Sequence, residues 1–303
     1  AGSDVGYECK MPDVFEHLQA IENNDEVTKH VLASSTKKTF AAQECIFSQG
    51  DFIHSVLMVI KGCVSLSVET KSTKQYLHSI SEGSFIGAYE CTFQKKLQHS
   101  AVTSTETVCL LIPATECSDF ITKVLVLDFP FSKQISPLTL NECAKKVRKK
   151  TFKPGEIIIR QGDVGEMFAM IVAGTVVVAS SNDASKLPML SECPKYAEMK
   201  SNPSYKMKEV CKIPRLGTFG QNSMLSFLTA SESIKPTLTS ACVFALNEVD
   251  LFYLDKASFV ELLQKRSSLY RIISAKDREI KALRVKRRMS KHLHPNFVDV
   301  SKK

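Results

Sequence analysis

The feature that most constrains the fold of this chain is an internal repeat with a fixed offset of 112 residues. The repeated stretch runs from Phe40 to Gly62 in the first copy and from Phe152 to Gly174 in the second, without a gap. The same offset relates four further pairs, which are Glu44 and Glu156, Gln49 and Gln161, Gly50 and Gly162, and Asp51 and Asp163. Because a fixed period of self-similarity indicates a repeated structural unit, the sequence predicts two copies of one domain.

Short strands separated by glycine turns make up each copy. In the second copy, the β-branched run Ile157–Ile159 lies between the turn pairs Pro154-Gly155 and Gly162-Asp163. A second apolar stretch, Phe168–Val172, is followed by a glycine and then by Val176–Val178. This pattern predicts a meander of strands for an all-β roll. Further strands are expected at 64–68, 76–80, 108–112, 243–246 and 251–254.

Helical patterns surround the strands. Asp13 is expected to cap a helix over Val14–Ala20, and Asn24-Asp25 to cap one over Glu26–Ala33. Apolar residues also recur at helical spacing over Asp119–Phe129 and from Asp255 onward. The first of these helices should be broken at 129–131 and 136–137, where Phe-Pro-Phe and Ser-Pro lead into the second copy.

The order of motifs in the second copy resembles a known family. Phe-x-x-Gly-Glu at 152–156, Arg-Gln-Gly-Asp at 160–163 and the later Gly174 resemble the opening of the cyclic nucleotide-binding domain. This domain occurs in kinase regulatory subunits, gated channels and bacterial catabolite activators. The resemblance covers about residues 10–290. It implies an α+β fold with two tandem β-roll (jelly-roll-like) domains, flanking helices and a C-terminal basic helix.

We expect domain A at 10–130, domain B at 131–290 and a basic tail at 291–303. Domain B departs from domain A at 180–212, a polar stretch that contains three prolines and is far longer than an ordinary hairpin loop. We interpret this stretch as an insertion at a turn between strands, either flexible or packed across the domain surface.

The family's ligand is an anion, so its site needs backbone N–H groups and a guanidinium. The family cassette reads Phe-Gly-Glu-x-Ala-Leu, then a loop, then Arg-x-Ala. In this resemblance the glycine admits the phosphate, the Glu accepts from the ribose 2′-hydroxyl and the Arg pairs with phosphate oxygens.

In the first copy the cassette keeps its glycine, Gly87. Ala88 stands where the Glu is expected, and His99 stands where the Arg is expected, followed by Ser100 and Ala101. A histidine near its ordinary pKa of about 6.5 is largely neutral at physiological pH and has no guanidinium fork. The intervening Lys95 and Lys96 are the alternative source of a positive charge.

The second copy departs in the same way. Gln221 replaces the Glu and Thr239 replaces the Arg, with Lys235 as the cation of the connecting loop. The expected pocket positions are Gly220, Gln221, Asn222, Ser223, Thr239, Ser240 and Ala241. These side chains are polar but uncharged, so they suit a neutral ligand such as a nucleoside better than a phosphate.

A basic segment follows the second copy. Residues 265–303 contain 13 Lys/Arg and 3 Asp/Glu, within a chain whose net charge is +8. The basic helix Lys276–Lys291 is expected to contact a partner helix, an acidic surface such as tubulin, or anionic lipid, or simply to be a solvated lid helix. Because the two domains are not themselves basic, we expect no nucleic acid as a partner. No apolar run approaches a membrane span, which excludes an integral membrane protein.

The sequence therefore predicts a regulatory or scaffold protein that is not an enzyme, since no Gly-rich loop, nucleophile elbow or carboxylate pair is present. Its pockets are expected to lack high affinity for cAMP and cGMP and to need no cofactor. The alternative is a true sensor that binds cAMP, cGMP or an uncharged nucleoside and signals through the C-terminal helices. The expected partner is a protein, either kinase catalytic subunit-like, cytoskeletal or a scaffold. The scattered cysteines, without Cys-x-x-Cys spacing, favour a cytoplasmic location.

Overall fold

The computed structural model describes residues 26–224, 238–265, 271 and 273–275. They form two compact units. Unit 1 contains the described residues up to Lys133 together with Leu140–Lys149, and unit 2 contains Gln134–Thr139 and the described residues from Lys150 onward.

The described part of unit 1 begins with a helix and continues with eight strands, with one helix between the sixth and seventh strands and another after the eighth. The elements are α1 (Glu26–Ser34), β1 (Thr36–Phe40), β2 (Cys45–Phe47), β3 (Ser55–Lys61), β4 (Cys63–Glu69), β5 (Lys74–Ser81), β6 (Phe85–Ile86), α2 (Ala88–Phe93), β7 (Ser100–Thr103), β8 (Thr107–Pro113) and α3 (Ser118–Leu127).

A 3-10 turn (Ser132–Gln134) and helix α4 (Pro137–Lys146) lead to the second series of strands. These elements are β9 (Arg148–Phe152), β10 (Ile157–Ile159), β11 (Met167–Ala173), β12 (Val176–Ser180), 3-10 turns at Ala184–Lys186 and Leu190–Glu192, α5 (Tyr196–Ser201), β13 (Lys208–Ile213), β14 (Thr218–Phe219), β15 (Cys242–Ala245), β16 (Val249–Asp255) and α6 (Lys256–Lys265).

The two units have the same strand topology. In unit 1 the sheets run β1-β8-β3-β6 and β2-β7-β4-β5, and in unit 2 they run β9-β16-β11-β14 and β10-β15-β12-β13. Adding eight to each strand number of unit 1 gives the order in unit 2. The prediction of two tandem β-rolls in an α+β fold is therefore confirmed.

Apolar side chains fill the interior of each roll, because alternate residues of a strand point to the same face. The core of unit 1 consists of Phe40, Leu57, Val59, Val64, Leu66, Ile80, Ile86, Ala101 and Cys109. The core of unit 2 consists of Phe152, Ile158, Ala169, Ile171, Val176, Val178, Phe219, Val243, Ala245, Val249 and Leu251.

Residues 181–207, which connect β12 to β13, pack against unit 2. Leu187 and the fully buried Met199 from this connection join Val177, Ala179, Cys242 and Phe244 in a second apolar cluster. The ring of Tyr196 lies 5.1 Å from that of Phe244. Of the two alternatives, flexible or packed, the structure has the packed one.

Arg160 fixes the start of this connection. Its guanidinium donates to the carbonyl oxygens of Leu187 at 2.8 Å and Pro188 at 2.5 Å, and it pairs with Asp163 at 2.7 Å. Gln161 adds two bonds to the backbone of Ser181. The Arg-Gln-Gly-Asp motif of unit 2 thus holds a segment of its own chain.

Three of the predicted helices are confirmed. The helices expected at 26–33, at 119–129 and after Asp255 are present as α1, α3 and α6. Helix α3 ends before Phe129-Pro130-Phe131, as expected, and Ser136-Pro137 stands at the start of a further helix, α4, which the sequence did not predict. Proline is tolerated in a first helical turn, where no N–H is required, and the Ser136 hydroxyl accepts from the Thr139 N–H at 3.3 Å.

The helix expected at 14–20 and the basic helix expected at 276–291 lie outside the described residues. Among the helices that the structure describes, none combines the length and the apolar character of a membrane span.

Candidate functional site

Each candidate site has two parts along the chain, a near end that corresponds to Phe-Gly-Glu-x-Ala-Leu of the family cassette and a far end that corresponds to Arg-x-Ala. A short strand followed by a glycine forms the near end. In unit 1, Ile86 of β6 pairs with Leu57. Gly87 follows with a φ of 84° and precedes α2. A Cβ atom at Gly87 would lie 2.1 Å from Cδ1 of Ile53, so both conformation and space favour glycine here.

Unit 2 repeats this arrangement. Phe219 of β14 pairs with Ala169, the residue that the 112-residue offset relates to Leu57. Gly220 has a φ of 89°, and a Cβ atom there would lie 2.1 Å from the carbonyl oxygen of Met167. Helical residues begin at Gln221. By this register Gln221 occupies the position of Ala88, as the cassette alignment predicts.

The far end of the unit 1 site is His99, directly before β7. Ala101 pairs with Leu66, and both belong to the core of unit 1. His78 is the strand partner of the core residue Leu66, and it interacts electrostatically with His99, which lies in a bend directly before β7 and so close to the inner face of the roll. Its side chain is consistent with this, since His99 is only 3% exposed. Neither ring nitrogen has a hydrogen-bond partner in the described part of the chain.

His99 is electrically neutral at physiological pH. Burial lowers its pKa below the ordinary value of 6.5, and the nearby His78 lowers the pKa further. Desolvation disfavours the charged imidazolium, because a buried cation loses its hydration. A neutral imidazole carries no positive charge, whereas the guanidinium of the family cassette does.

The two residues after His99 have structural roles. The Ser100 hydroxyl accepts from the Gln49 N–H at 3.0 Å and so supports the Gln49-Gly50 turn. Ala101 is fully buried in the core. Ala101 therefore offers no polar side-chain group to a ligand, and the Ser100 hydroxyl already accepts one backbone hydrogen bond.

The pairing of strands gives a different residue of unit 2 as the counterpart of His99 from the one that the cassette alignment gave. Ala101 pairs with Leu66, and the matching residue of β12, Val178, pairs with Val243. His99, two residues before Ala101, therefore corresponds to Ala241, two residues before Val243. The expectation that Thr239 takes this position is not supported by the register.

Loop hydrogen bonds give the same correspondence. The N–H of Gly50 donates to the Leu97 carbonyl at 2.8 Å, and the N–H of Gly162 donates to the Thr239 carbonyl at 2.9 Å. Thr239 thus corresponds to Leu97. Its hydroxyl donates to the Arg160 carbonyl at 2.6 Å, so it closes the turn at the end of β10.

Polar groups without partners mark the near end of the unit 2 site. Gln221 is 8% exposed, and its Oε1 has no hydrogen-bond partner among the residues described. The same holds for Oδ1 of Asn222. Ser223 is engaged differently, because its hydroxyl donates to the Gly220 carbonyl at 3.2 Å. Ser240 is exposed.

Three side chains, Lys96, Arg160 and Lys235, are candidate sources of positive charge at the two sites. The Lys96 ammonium lies 5.5 Å from the centre of the Phe52 ring, on an exposed part of the loop. The Arg160 guanidinium binds the connection 181–207. Lys235 lies outside the described residues. Within the described ranges, no group of three or more His, Cys, Asp or Glu side chains could hold a metal ion.

Glu90, which the sequence reasoning missed, is a buried carboxyl group in α2. It is 3% exposed, and desolvation raises its pKa from 4.5 to about 7. It corresponds to Ser223 in unit 2. A signal was present in the sequence, because a Glu stands where the family cassette has Ala.

Comparison with known proteins gives a match to one family. Residues 37–123 match the family model described as "Cyclic nucleotide-binding domain". The chain is also similar to a "cAMP-dependent protein kinase regulatory subunit" of Candida albicans, with 24% identity over 160 residues. That match covers 50% of this chain, and the chain spans about a third (34%) of the relative's length.

The chain is also similar to solved structures, two of which are described as kinase regulatory chains. The regulatory domain of Toxoplasma gondii PKA with cAMP has 16% identity and a TM-score of 0.40, covering 89% of this chain and 98% of that one. The regulatory subunit of a cAMP-independent protein kinase A from Trypanosoma cruzi, bound to guanosine, has 18% identity and a TM-score of 0.38. That match covers 86% of this chain and 82% of the other chain.

Proposed function

We propose, because residues 37–123 match the model of the cyclic nucleotide-binding domain, that this chain is a non-catalytic regulatory module without a phosphate clamp in either roll. One observation carries the proposal. The inner-face position before β7 and β15 holds His99 in unit 1 and Ala241 in unit 2. Neither side chain is a cation, so neither pairs with a cyclic phosphate.

The loss of a charge-assisted contact has a large effect on affinity. Such a hydrogen bond is worth about 1.5–3 kcal/mol, which corresponds to roughly 10- to 150-fold in Kd. Ala88 removes the ribose-binding carboxylate of unit 1 as well. We therefore expect cAMP and cGMP to bind neither unit with high affinity.

Restoring the clamp tests the proposal. In unit 2, the pair Gln221→Glu and Ala241→Arg should raise the affinity for cAMP at least ten-fold over the wild-type chain in isothermal titration. The matched pair Gln221→Glu and Thr239→Arg should give no such gain, because the Thr239 side chain points to the turn at Arg160.

Unit 1 provides the parallel experiment with Ala88→Glu and His99→Arg. Low-micromolar binding of cAMP by the wild-type chain would contradict the absence of a clamp. A gain from Thr239→Arg without a gain from Ala241→Arg would instead contradict the register-based correspondence.

A second candidate function, that of a nucleoside sensor, is favoured by the near end of unit 2. The buried Gln221 Oε1 and Asn222 Oδ1 lack partners in the described structure and suit a hydroxyl or amino donor of an uncharged nucleoside. Helix α6 would report the ligand, since Phe259 packs its ring 5.1 Å from that of Phe168 in β11. A rise in melting temperature with adenosine or guanosine that Gln221→Leu abolishes would support this function; no rise would contradict it.

Protein partners are the proposed output of the module. The class that the relatives suggest is a kinase catalytic subunit, and a cytoskeletal or scaffold protein is the alternative. Contact through the basic segment 276–291, which lies outside the described residues, and a cytoplasmic location belong to the same proposal. A pull-down with the wild-type chain and with a variant neutralised over 276–291 tests the segment, and unchanged partners would rule it out as the docking element.

A further inference from the structure

The buried imidazole of His99 has hydrogen-bonding groups that the described fold does not use. His99 is 3% exposed, and neither Nδ1 nor Nε2 has a partner in the described structure. A buried polar group without a partner is destabilising, so nearly all such groups in native proteins are hydrogen-bonded. A ligand that supplies the missing partners accounts for this exception.

The surroundings of His99 belong to the candidate site. It lies in a bend directly before β7, two residues before the core residue Ala101. His78 of β5, which interacts electrostatically with His99, is on the same face as Ala101, since it pairs with Leu66, which pairs in turn with Ala101. The near end of the site contributes Ala88, which has no hydrogen-bonding side chain.

The charge of His99 decides the kind of ligand. With its pKa lowered by burial and by His78, the ring is a neutral imidazole with one N–H donor and one acceptor nitrogen. The acceptor nitrogen would repel phosphate oxygens, which are themselves acceptors. A neutral ligand that both donates and accepts satisfies both ring atoms.

We propose that the site of unit 1 binds an uncharged ligand of the nucleoside class, and that His99 recognises it by donating from one ring nitrogen and accepting at the other. This rests on the proposed function, because it takes the site as a ligand site without a phosphate clamp. Hydroxyl and amide groups of a nucleoside supply both donors and acceptors. Unit 2 has Ala241 at this position, so this mode of recognition belongs to unit 1.

Two substitutions of His99 test the proposal in the full chain. Isothermal titration with adenosine and guanosine should show binding to the wild-type chain, weakened at least ten-fold by His99→Leu, which removes both polar groups. His99→Gln keeps a donor and an acceptor and should stay within a few-fold of wild type. The matched control is His54→Leu at an exposed histidine, which should leave the affinity unchanged.

A direct readout separates recognition from folding. Nitrogen-15 chemical shifts of the His99 ring should move towards hydrogen-bonded values when nucleoside is added to the wild-type chain. Absence of nucleoside binding, equal affinity of His99→Leu and wild type, or unmoved ring shifts would overturn this inference. None of these results would contradict the proposal that both sites lack a phosphate clamp. Only low-micromolar binding of cAMP by the wild-type chain would contradict that proposal.

Discussion

Glu90 is a buried carboxyl group, and its burial disfavours the ionised form. Its pKa is about 7 in the folded chain, against an ordinary value of 4.5, and burial is the largest cause. Above pH 7 the group is ionised in both the folded and the unfolded state, and the folded state bears the desolvation cost. Below pH 4.5 it is neutral in both. Its destabilising effect therefore appears as pH rises from 4.5 to 7.

We accordingly expect Glu90→Gln to stabilise unit 1 at pH 8 by about 3 kcal/mol, and to have a much smaller effect near pH 4.5. Scanning calorimetry at the two pH values measures the difference. Glu106→Gln, at an exposed position, serves as the control and should show no such dependence on pH. An equal shift at both pH values would mean that the pKa of Glu90 is the same in the folded and the unfolded chain.

Arg160 belongs to the Arg-Gln-Gly-Asp motif, and its side chain binds the connection 181–207 of its own unit. Its guanidinium donates to the carbonyls of Leu187 and Pro188 and pairs with Asp163. The side chain is 16% exposed, so these bonds lie largely out of solvent. Removing the guanidinium leaves buried acceptors without partners.

Replacing Arg160 by Met should destabilise unit 2 by about 2–4 kcal/mol and speed amide hydrogen exchange over residues 181–207. Lys186→Met is the matched control, because the Lys186–Asp183 pair is exposed and such pairs contribute about 0–1 kcal/mol. Exchange rates in 181–207 that stay at wild-type values would show that the segment is held by its apolar contacts alone.

At the scale of elements, the connection between β12 and β13 behaves as part of the core of unit 2. Helix α5 contributes Met199, which is fully buried among Val177, Ala179, Leu187, Cys242 and Phe244. The segment covers the face of the sheet opposite to the roll interior. The corresponding connection of unit 1, between β4 and β5, is only residues 70–73, so this layer has no counterpart at that place in unit 1.

Met199→Ala should lower the free energy of unfolding of unit 2 by about 2–5 kcal/mol, the usual cost of truncating a buried Met. The control Met189→Ala removes a side chain that is 69% exposed, and its effect should be near zero. Limited proteolysis gives a second measurement, with faster cleavage in 181–207 for Met199→Ala. Equal stability of the two variants would contradict the packed connection.

The elements were largely predictable because the residues of the sequence itself carry their signals. The fixed 112-residue offset predicts two rolls, and local β-branched runs between glycine turns predict strands such as β10. Helix α4 was missed because Ser136-Pro137 was interpreted as a break, although a cap followed by proline also begins helices.

The site was less predictable, because strand register depends on pairing across the sheet. Loops of different length separate the glycine from the far end in the two units. Counting from the motif therefore gave Thr239, whereas pairing with β12 gives Ala241. Burial of Glu90 and the unused nitrogens of His99 depend on contacts between distant parts of the chain, which spacing in the sequence does not encode.

At the scale of the whole molecule, each unit has its own core of buried side chains. We expect two calorimetric transitions, one moved by Glu90→Gln and the other by Met199→Ala. The double variant should combine the two shifts additively, because sites without shared partners are independent. A single transition that both substitutions move would show that the units unfold together.

The identical strand order of the two units has a consequence for how the chain is made. Strand β1 and strand β9 both contain Lys-Lys-Thr-Phe, and each is the first strand beside the last strand of its own unit, β8 and β16. In a complete unfolded chain, β1 and β9 therefore compete for the same partners. Domains generally fold from the N-terminus during synthesis, and β1 can pair with β8 before the ribosome has produced β9. The direction of translation thus favours the pairing of β1 with β8 over a pairing of β9 with β8, although the two first strands share Lys-Lys-Thr-Phe.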